Sequence, residues 1–387
     1  MKNARRAAAL ILIGALLLLS ACSQPGSAAS PTPIPVQRTE PTPAAETPAA
    51  TPEPEPVTLC LCLAEDSPLC EGLAALAEAY NARGGRLTVE LRRFPNTVDM
   101  LLAAADGEPA LLLLDSREAS VLLAGGRLGA MTEPAEPAPM FRETPGCAEG
   151  SFIPLGAEAP VLVMRTEQRE TIAGCDSFEA LCAKAEACGR ANNRAWFSAD
   201  SFAQLFACLL AQKDCPFYAD RERDVDNESY REVYNLLAGA AYEGGLVSLG
   251  EPVIRAVFDG ELDCGICSST ELTPYREEGL AALPLPPMAG CEARVEATTW
   301  GLAVTPGAEE AAALLMDWLR AEGRAAEAAM SVGLIPAWDG DAEDDVSAGL
   351  MLAAQRCLLW TPAADSGYIR GGADFERSFR AALALFL

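Results

Sequence analysis

The sequence predicts an α/β protein built on open sheets and long enough for two domains or two lobes. Three observations carry that reading. The chain has 387 residues, well beyond an ordinary single domain. Half of them are hydrophobic, ample material for a core. From Val57 onward, apolar runs of strand length alternate with stretches whose apolar residues recur at helical spacing. Such alternation sets parallel strands side by side, joined by right-handed helical crossovers.

The chain opens with Lys2, Arg5 and Arg6, then an apolar run from Ala7 to Leu19 broken by Gly14. A helix of that length rises about 20 Å, short of the roughly 30 Å hydrocarbon core. Residues 1–21 therefore read as a secretory signal segment. Leu19-Ser20-Ala21-Cys22 resembles the bacterial lipoprotein box. The resemblance implies that Cys22 is diacylated and becomes the mature N-terminus, and two acyl chains anchor stably where one does not. Residues 23–56 hold ten of the 28 prolines among Ala, Thr, Ser and Glu. This composition cannot bury apolar surface, so residues 23–56 form an extended tether, and by the resemblance residues 22–56 are a lipidated Cys followed by that tether.

Order begins at Val57. Val57 to Leu63 is nearly all apolar, as a strand covered on both faces requires. Asp66-Ser67-Pro68 offers helix N-caps, and Leu69, Cys70, Leu73, Leu76, Ala77 and Tyr80 follow at helical spacing up to Gly84-Gly85. Leu87, Val89 and Leu91 alternate as a second strand. Asp99 to Ala105 forms a second helix, and Ala110 to Leu114 is a third strand ending at Asp115-Ser116. Further helices show at Phe202-Leu205-Phe206-Leu209-Leu210 and Tyr230-Val233-Tyr234-Leu237. No later stretch is long and apolar enough to span a bilayer.

The formal charge is −26, and loss of residues 1–21 removes three cations and no acid, leaving −29. That field repels nucleic acid and anionic head groups, so membrane attachment falls to the lipid. The chain has no histidine, which removes the commonest metal ligand and general base and excludes a Ser-His-Asp hydrolase. Neither a phosphate-binding P-loop nor a Gly-x-Ser-x-Gly elbow is present. Of fourteen cysteines, thirteen remain beside Cys22, so at least one has no partner within the chain. Cys60 and Cys62 alternate along a strand, and Cys182 shares a helix face with Phe178 and Ala185, where a small hydrophobe belongs. Secretion favours oxidation, so bridges among the thirteen stay open. Cys264-Gly265-Ile266-Cys267 reads as a strand leading into Ser268-Ser269, and no second C-x-x-C completes a zinc site.

Short segments spread in order over residues 57–338 carry a family resemblance. They are Leu87-Thr88-Val89-Glu90, Ala105-Asp106-Gly107-Glu108-Pro109, Ala124-Gly125-Gly126-Arg127-Leu128, and Phe152-Ile153-Pro154 leading to Val161-Leu162-Val163-Met164. Ser177-Phe178-Glu179-Ala180-Leu181, Phe258-Asp259-Gly260-Glu261 and Leu283-Pro284-Leu285-Pro286 follow. Gly301-Leu302-Ala303-Val304, the helix through Trp318, and Gly333-Leu334-Ile335-Pro336-Ala337 complete the set. Behind a lipoprotein box, this order resembles the extracellular solute-binding lipoproteins of ABC importers, family 1, sugar-binding type. Met164-Arg165-Thr166 stands where that family commonly carries Asn and Tyr. The resemblance implies a two-lobed periplasmic-binding-protein-like fold of type II, with the ligand cleft between lobes. Residues 57–160 plus 301–335 are assigned to lobe one, and 161–300 plus 336–387 to lobe two.

Ligands of open α/β sheets lie beyond the carboxyl ends of the strands, where helix N-termini offer free N–H groups. Asp66 and Ser67 after the first strand, and Asp115 and Ser116 after the third, become candidate ligand contacts, with helix capping the plainer role. Trp300, between Thr299 and Gly301 where the family crosses between lobes, is assigned to stacking on a sugar face. Trp196 and Trp338 are candidates for the same role, with core packing the alternative, and Trp318 is placed in the core. The sequence assigns no catalytic residue, metal or cofactor. The favoured function is capture of a small solute, a sugar or oligosaccharide, by a monomer anchored through lipid on the extracytoplasmic side of the cell membrane. The partner is an ABC transporter permease, with no nucleic acid involved. The alternative is a sensory or surface-interaction lipoprotein with the same fold and no transport role.

Overall fold

The computed structural model describes residues 56–104, 107–215, 227–276, 278–360, 377, 380 and 381. The signal segment, Cys22 and the tether through residue 55 lie outside the described residues. Strands are numbered in chain order. β1 (Val57–Ala64), β2 (Leu87–Phe94) and β3 (Ala110–Asp115) are parallel, with β1 in the middle. The helices Cys70–Ala82 and Thr97–Ala104 make the crossovers. Leu59, Leu61 and Leu63 face one core. Cys60, Cys62 and Ala64 face a second one, with Met100, Leu112, Leu114 and Phe152. Burial on both faces is what the continuous apolar run encodes.

The sheet is mixed, not wholly parallel as the alternation predicts. β4 (Phe152–Glu158) leaves it for β5 (Pro160–Arg165), the first strand of a second sheet. That second sheet adds β6 (Phe197–Ala199), β7 (Cys264–Ser268) and β8 (Leu280–Pro284) in the order β6-β7-β5-β8. The chain then passes through β9 (Ala293–Glu296) and returns as β10 (Thr298–Val304). β10 enters from the edge where β3 and β4 end, so it pairs antiparallel to both. β11 (Ile335–Pro336) adds antiparallel to β4, giving the order β11-β4-β10-β3-β1-β2. β12 (Cys357–Trp360) pairs with β9.

Two departures from the expected elements have local causes. The first helix starts at Cys70, with Leu69 at the cap and no side-chain cap bond. Asp66 and Ser67 instead make a turn, in which the Ser67 N–H donates to the Ala64 carbonyl at 3.1 Å. The return strand begins at Thr298 and not at 301, because Thr298 and Thr299 already pair with Glu158 and Ala157. The thirteen cysteines of the described residues are all free, and Cys264 to Cys267 lie on β7 as a strand.

Candidate functional site

β3 and β4 end, and β10 begins, on one edge of the six-stranded sheet. At that edge Trp300 pairs with Asp115 across one side of β10 and with Gly156 across the other. A register shift between Trp300 and Gly301 interrupts the ladder there. Such a bulge re-aims the side chain beside it. The Trp300 ring is half-buried, and its Nε1–H is buried without a hydrogen-bond partner.

Asp115 closes β3 and caps the helix Ser116–Ala124. Its Oδ1 accepts from the N–H groups of Arg117 and Glu118, both at 2.8 Å, while Glu118 Oε2 accepts from the Asp115 N–H at 3.1 Å. This reciprocal box satisfies groups that a helix start otherwise leaves orphaned. Ser116 is buried behind the cap. Asp66, in the turn after β1, is exposed, and its Oδ1 accepts from the Thr97 hydroxyl at 3.5 Å. Ser67 is buried, and its Oγ accepts from the Leu69 N–H at 3.4 Å. Burial raises the Glu118 carboxyl above its ordinary range, and the charges of Asp115 and Asp66 push the same way. Asp66, Asp115 and Glu118 therefore form one acidic group, whose Asp115 lies opposite Trp300 in the ladder.

The facing half comes from the strand crossings. A single buried residue, Ala159, joins β4 to β5, and a single buried residue, Ala297, joins β9 to β10. Glu158 Oε1 accepts from the hydroxyls of Ser268 at 2.7 Å and Thr270 at 3.1 Å. The Ser269 N–H donates to the Ala159 carbonyl at 2.9 Å. The crossing is thus tied to the end of β7. Just beyond it, donor atoms of Asp200, Cys267 and Glu271 lie within 4.8 Å of one another. Asp200 Oδ1 accepts from the Val253 N–H at 2.9 Å. Asp200 Oδ2 and Glu271 Oε2 are buried without a fixed donor. A proton held between two carboxyls satisfies both. Burial, then Asp200 and Glu158, lifts Glu271 to about 7, so Glu271 carries that proton. Burial raises the Cys267 thiol well above its ordinary range, and the two carboxyls beside it share a proton.

No family model matches the sequence, and no curated protein matches it. Solved structures match it in fold. An extracellular solute-binding protein family 1 member from Alicyclobacillus acidocaldarius is 14% identical, with a TM-score of 0.67 over 86% of this chain and 97% of that one. The sugar-binding protein MalE from Xanthomonas citri is 15% identical, with a TM-score of 0.66 over 85% and 95%. A cyclic alpha-maltosyl-1,6-maltose binding protein from Arthrobacter globiformis is 14% identical, with a TM-score of 0.59 over 86% and 95%. The fold is the two-lobed solute-binding-protein fold.

The strands of the two sheets cross at the edge where β4 and β10 meet. Asp66, Ser67, Asp115, Ser116 and Trp300 stand along that edge of the first sheet. Trp196 does not. It precedes β6, whose Phe197 is in register with Cys264, and Cys264 with Met164, four residues beyond the crossing end of β5. At about 3.3 Å per residue that is roughly 13 Å from the crossing. Trp196 is 3% exposed and packs edge-on to Phe197 at 6.3 Å, so it fills core beside the second sheet. Trp338 is likewise corrected to packing. It is 8% exposed, its Nε1–H donates to the Pro154 carbonyl at 2.8 Å, and the Arg320 guanidinium lies 5.4 Å from its ring. Pro154 is four residues back from Glu158 along β4, away from the crossing. Trp318 is half-buried and packs edge-on to Tyr80 at 5.2 Å. Glu118, Glu158, Asp200 and Glu271 were invisible as site residues. Their only sequence signal is position at or after strand ends, such as Asp200-Ser201 ahead of the helix Phe202–Gln212.

Proposed function

We propose that this protein captures a neutral sugar or oligosaccharide between its two lobes and presents it to an ABC transporter permease. The observation that carries the reading is Trp300 at the cleft edge, half-buried, with an unpartnered indole N–H and with Asp115 opposite it in the ladder. A half-covered ring stacks on the apolar face of a pyranose, while carboxylates and hydroxyls accept and donate to sugar hydroxyls. The names of the structural neighbours, which bind maltodextrin-like sugars, support the same class. The two single-residue crossings are the natural hinge for closure on such a ligand. This reading assigns the chain no catalysis.

We place the protein on the extracytoplasmic face of the cell membrane, held by lipid on Cys22, with the lobes divided as the sequence suggests except that the crossings fall at Ala159 and Ala297 and lobe one runs to Pro336. Support for the anchor is the basic head, the short apolar run and Leu19-Ser20-Ala21-Cys22. Cys22→Ser is expected to abolish incorporation of a labelled fatty acid, and label retained in that variant rejects the anchor. For the ligand, the melting temperature is followed while maltotetraose and related neutral oligosaccharides are added. A ligand at a hundred times its Kd adds about 2.7 kcal/mol. No shift with any neutral sugar, alongside a shift with amino acids, peptides or polyamines, rejects the sugar class.

A further inference from the structure

The face of β1 turned away from the main core carries a feature that sugar capture leaves unused. Cys60 and Cys62 sit one residue apart on that face, with their Sγ atoms 3.6 Å from each other. They are 7% and 5% exposed, yet both line a cavity of about 200 Å3 together with Phe94, Ala104 and Ala110. Arg92 and Glu108 line the same cavity and pair at 2.6 Å, with side chains 49% and 65% exposed. An exposed pair of this kind is worth little and swings aside easily. Other buried cysteines, such as Cys182 and Cys208, are packed within the main core.

We propose that Cys60 and Cys62 form a dithiol chelate for a trivalent arsenical, a soft thiophilic centre that two sulfurs suffice to hold. Bonds of about 2.3 Å from sulfur to such a centre, at the roughly 95–100° angle of a pyramidal atom with a lone pair, set the sulfurs about 3.5 Å apart. The sulfurs already stand near that spacing. A disulfide fits less well. Two strand rises separate the Cα atoms by about 6.6 Å, the upper end of the bridging range, and β2 and β3 hold β1 straight from both sides. Burial first, then Cys60, pushes the Cys62 thiol up to about 12, so that sulfur meets a ligand protonated. A divalent cation must expel the Cys62 proton against that cost. An arsenical oxide instead exchanges its As–O bonds for two As–S bonds. The two thiol protons leave with the oxide oxygen as one water, and arsenic stays trivalent. The facing charged groups, Arg92 and Glu108, are already paired with each other and leave the exchange unopposed. The cavity is roomy enough for a phenyl ring, since one of about 150 Å3 accepts benzene.

The test uses the full chain, folded and reduced, with one equivalent of phenylarsine oxide. Intact mass is expected to show one phenylarsenic group per chain, gained with loss of one water. Non-reducing digestion is expected to locate it on the peptide holding Cys60 and Cys62. Cys60→Ala and Cys62→Ala should each lose the adduct, while Cys188→Ala keeps it. The wild-type peptide map decides the matter even if a variant fails to fold. No uptake by the folded chain, or an adduct on peptides lacking Cys60 and Cys62, overturns the proposal.

Discussion

Trp300 concentrates two opposing costs in one side chain. Its ring is half-covered, yet its N–H is buried with nothing to donate to. An unmade buried hydrogen bond costs about 1–3 kcal/mol, which a ligand hydroxyl at the cleft would recover. Trp300→Phe keeps the ring and deletes the donor. The melting temperature without ligand is therefore expected to hold or rise, while affinity for the sugar falls about tenfold, as calorimetric titration beside melting curves can check. A lower melting temperature with unchanged affinity makes the indole a core group. A second residue-scale outcome concerns Glu271. Its carboxyl, raised to about 7 in the fold, binds its proton more tightly folded than unfolded. The pair's stabilising proton is fully present below the unfolded value near 4.5 and is lost as pH rises through about 7, so stability falls across that window. Glu271→Gln mimics the protonated acid and should flatten the slope. At pH 8 it should gain about 1 kcal/mol after screening of a half-exposed group, or 2–4 °C in melting temperature. A pH–stability profile unchanged by the substitution removes the shared proton. Chain position alone was enough to bring Asp66, Ser67, Asp115, Ser116 and Trp300 to one edge. It misled for Trp196 and Trp338, because an isolated Trp does not announce which end of a strand it occupies.

Elements reach this edge through close backbone approach as much as through side chains. A Cβ built on Gly301 would stand 2.3 Å from the Ile153 carbonyl oxygen and 2.7 Å from the Phe152 ring, so β10 and β4 meet there only because Gly301 has none. Gly301→Ala is expected to cost about 1–3 kcal/mol by forcing the strands apart next to the bulge. Urea unfolding without ligand measures it, and a midpoint matching wild type shows that the strands tolerate the methyl. The helix start at Asp115 makes a milder forecast. Asp115→Asn keeps a good capping oxygen, whereas Asp115→Ala orphans two N–H groups and should lose about 1 kcal/mol. Equal losses from both substitutions assign the effect to charge and not to the cap. The parallel β2-β1-β3 unit and its helices were legible, since apolar runs and helical periodicity are local signals. The reversal at β10 was not, because antiparallel entry depends on a long excursion through the second sheet that no local pattern records.

At the scale of the whole molecule, charge decides what the cleft admits. The chain carries a formal −26, and carboxyl groups stand on both sides of the crossings: Asp66, Asp115, Glu118 and Glu158 by the first sheet, and the proton-sharing pair Asp200 and Glu271 by the second. Low-dielectric walls around such a cleft focus the field and turn anions away. A neutral oligosaccharide feels no long-range Coulomb term, only hydrogen bonds and stacking at contact. Its affinity should therefore ignore salt, which shortens the Debye length from about 10 Å at 0.1 M to about 3 Å at 1 M. The expected result is a Kd for maltotetraose that changes less than twofold between 50 and 500 mM NaCl. An oligogalacturonate of similar length should show no binding at 50 mM. A cationic ligand behaves in the opposite way, since its attraction to the acidic rim is what salt screens. An affinity that weakens severalfold with salt, with a cation outcompeting the sugar at 50 mM, would hand the rim to a positively charged solute and leave Trp300 as a cation–π platform in place of a pyranose one.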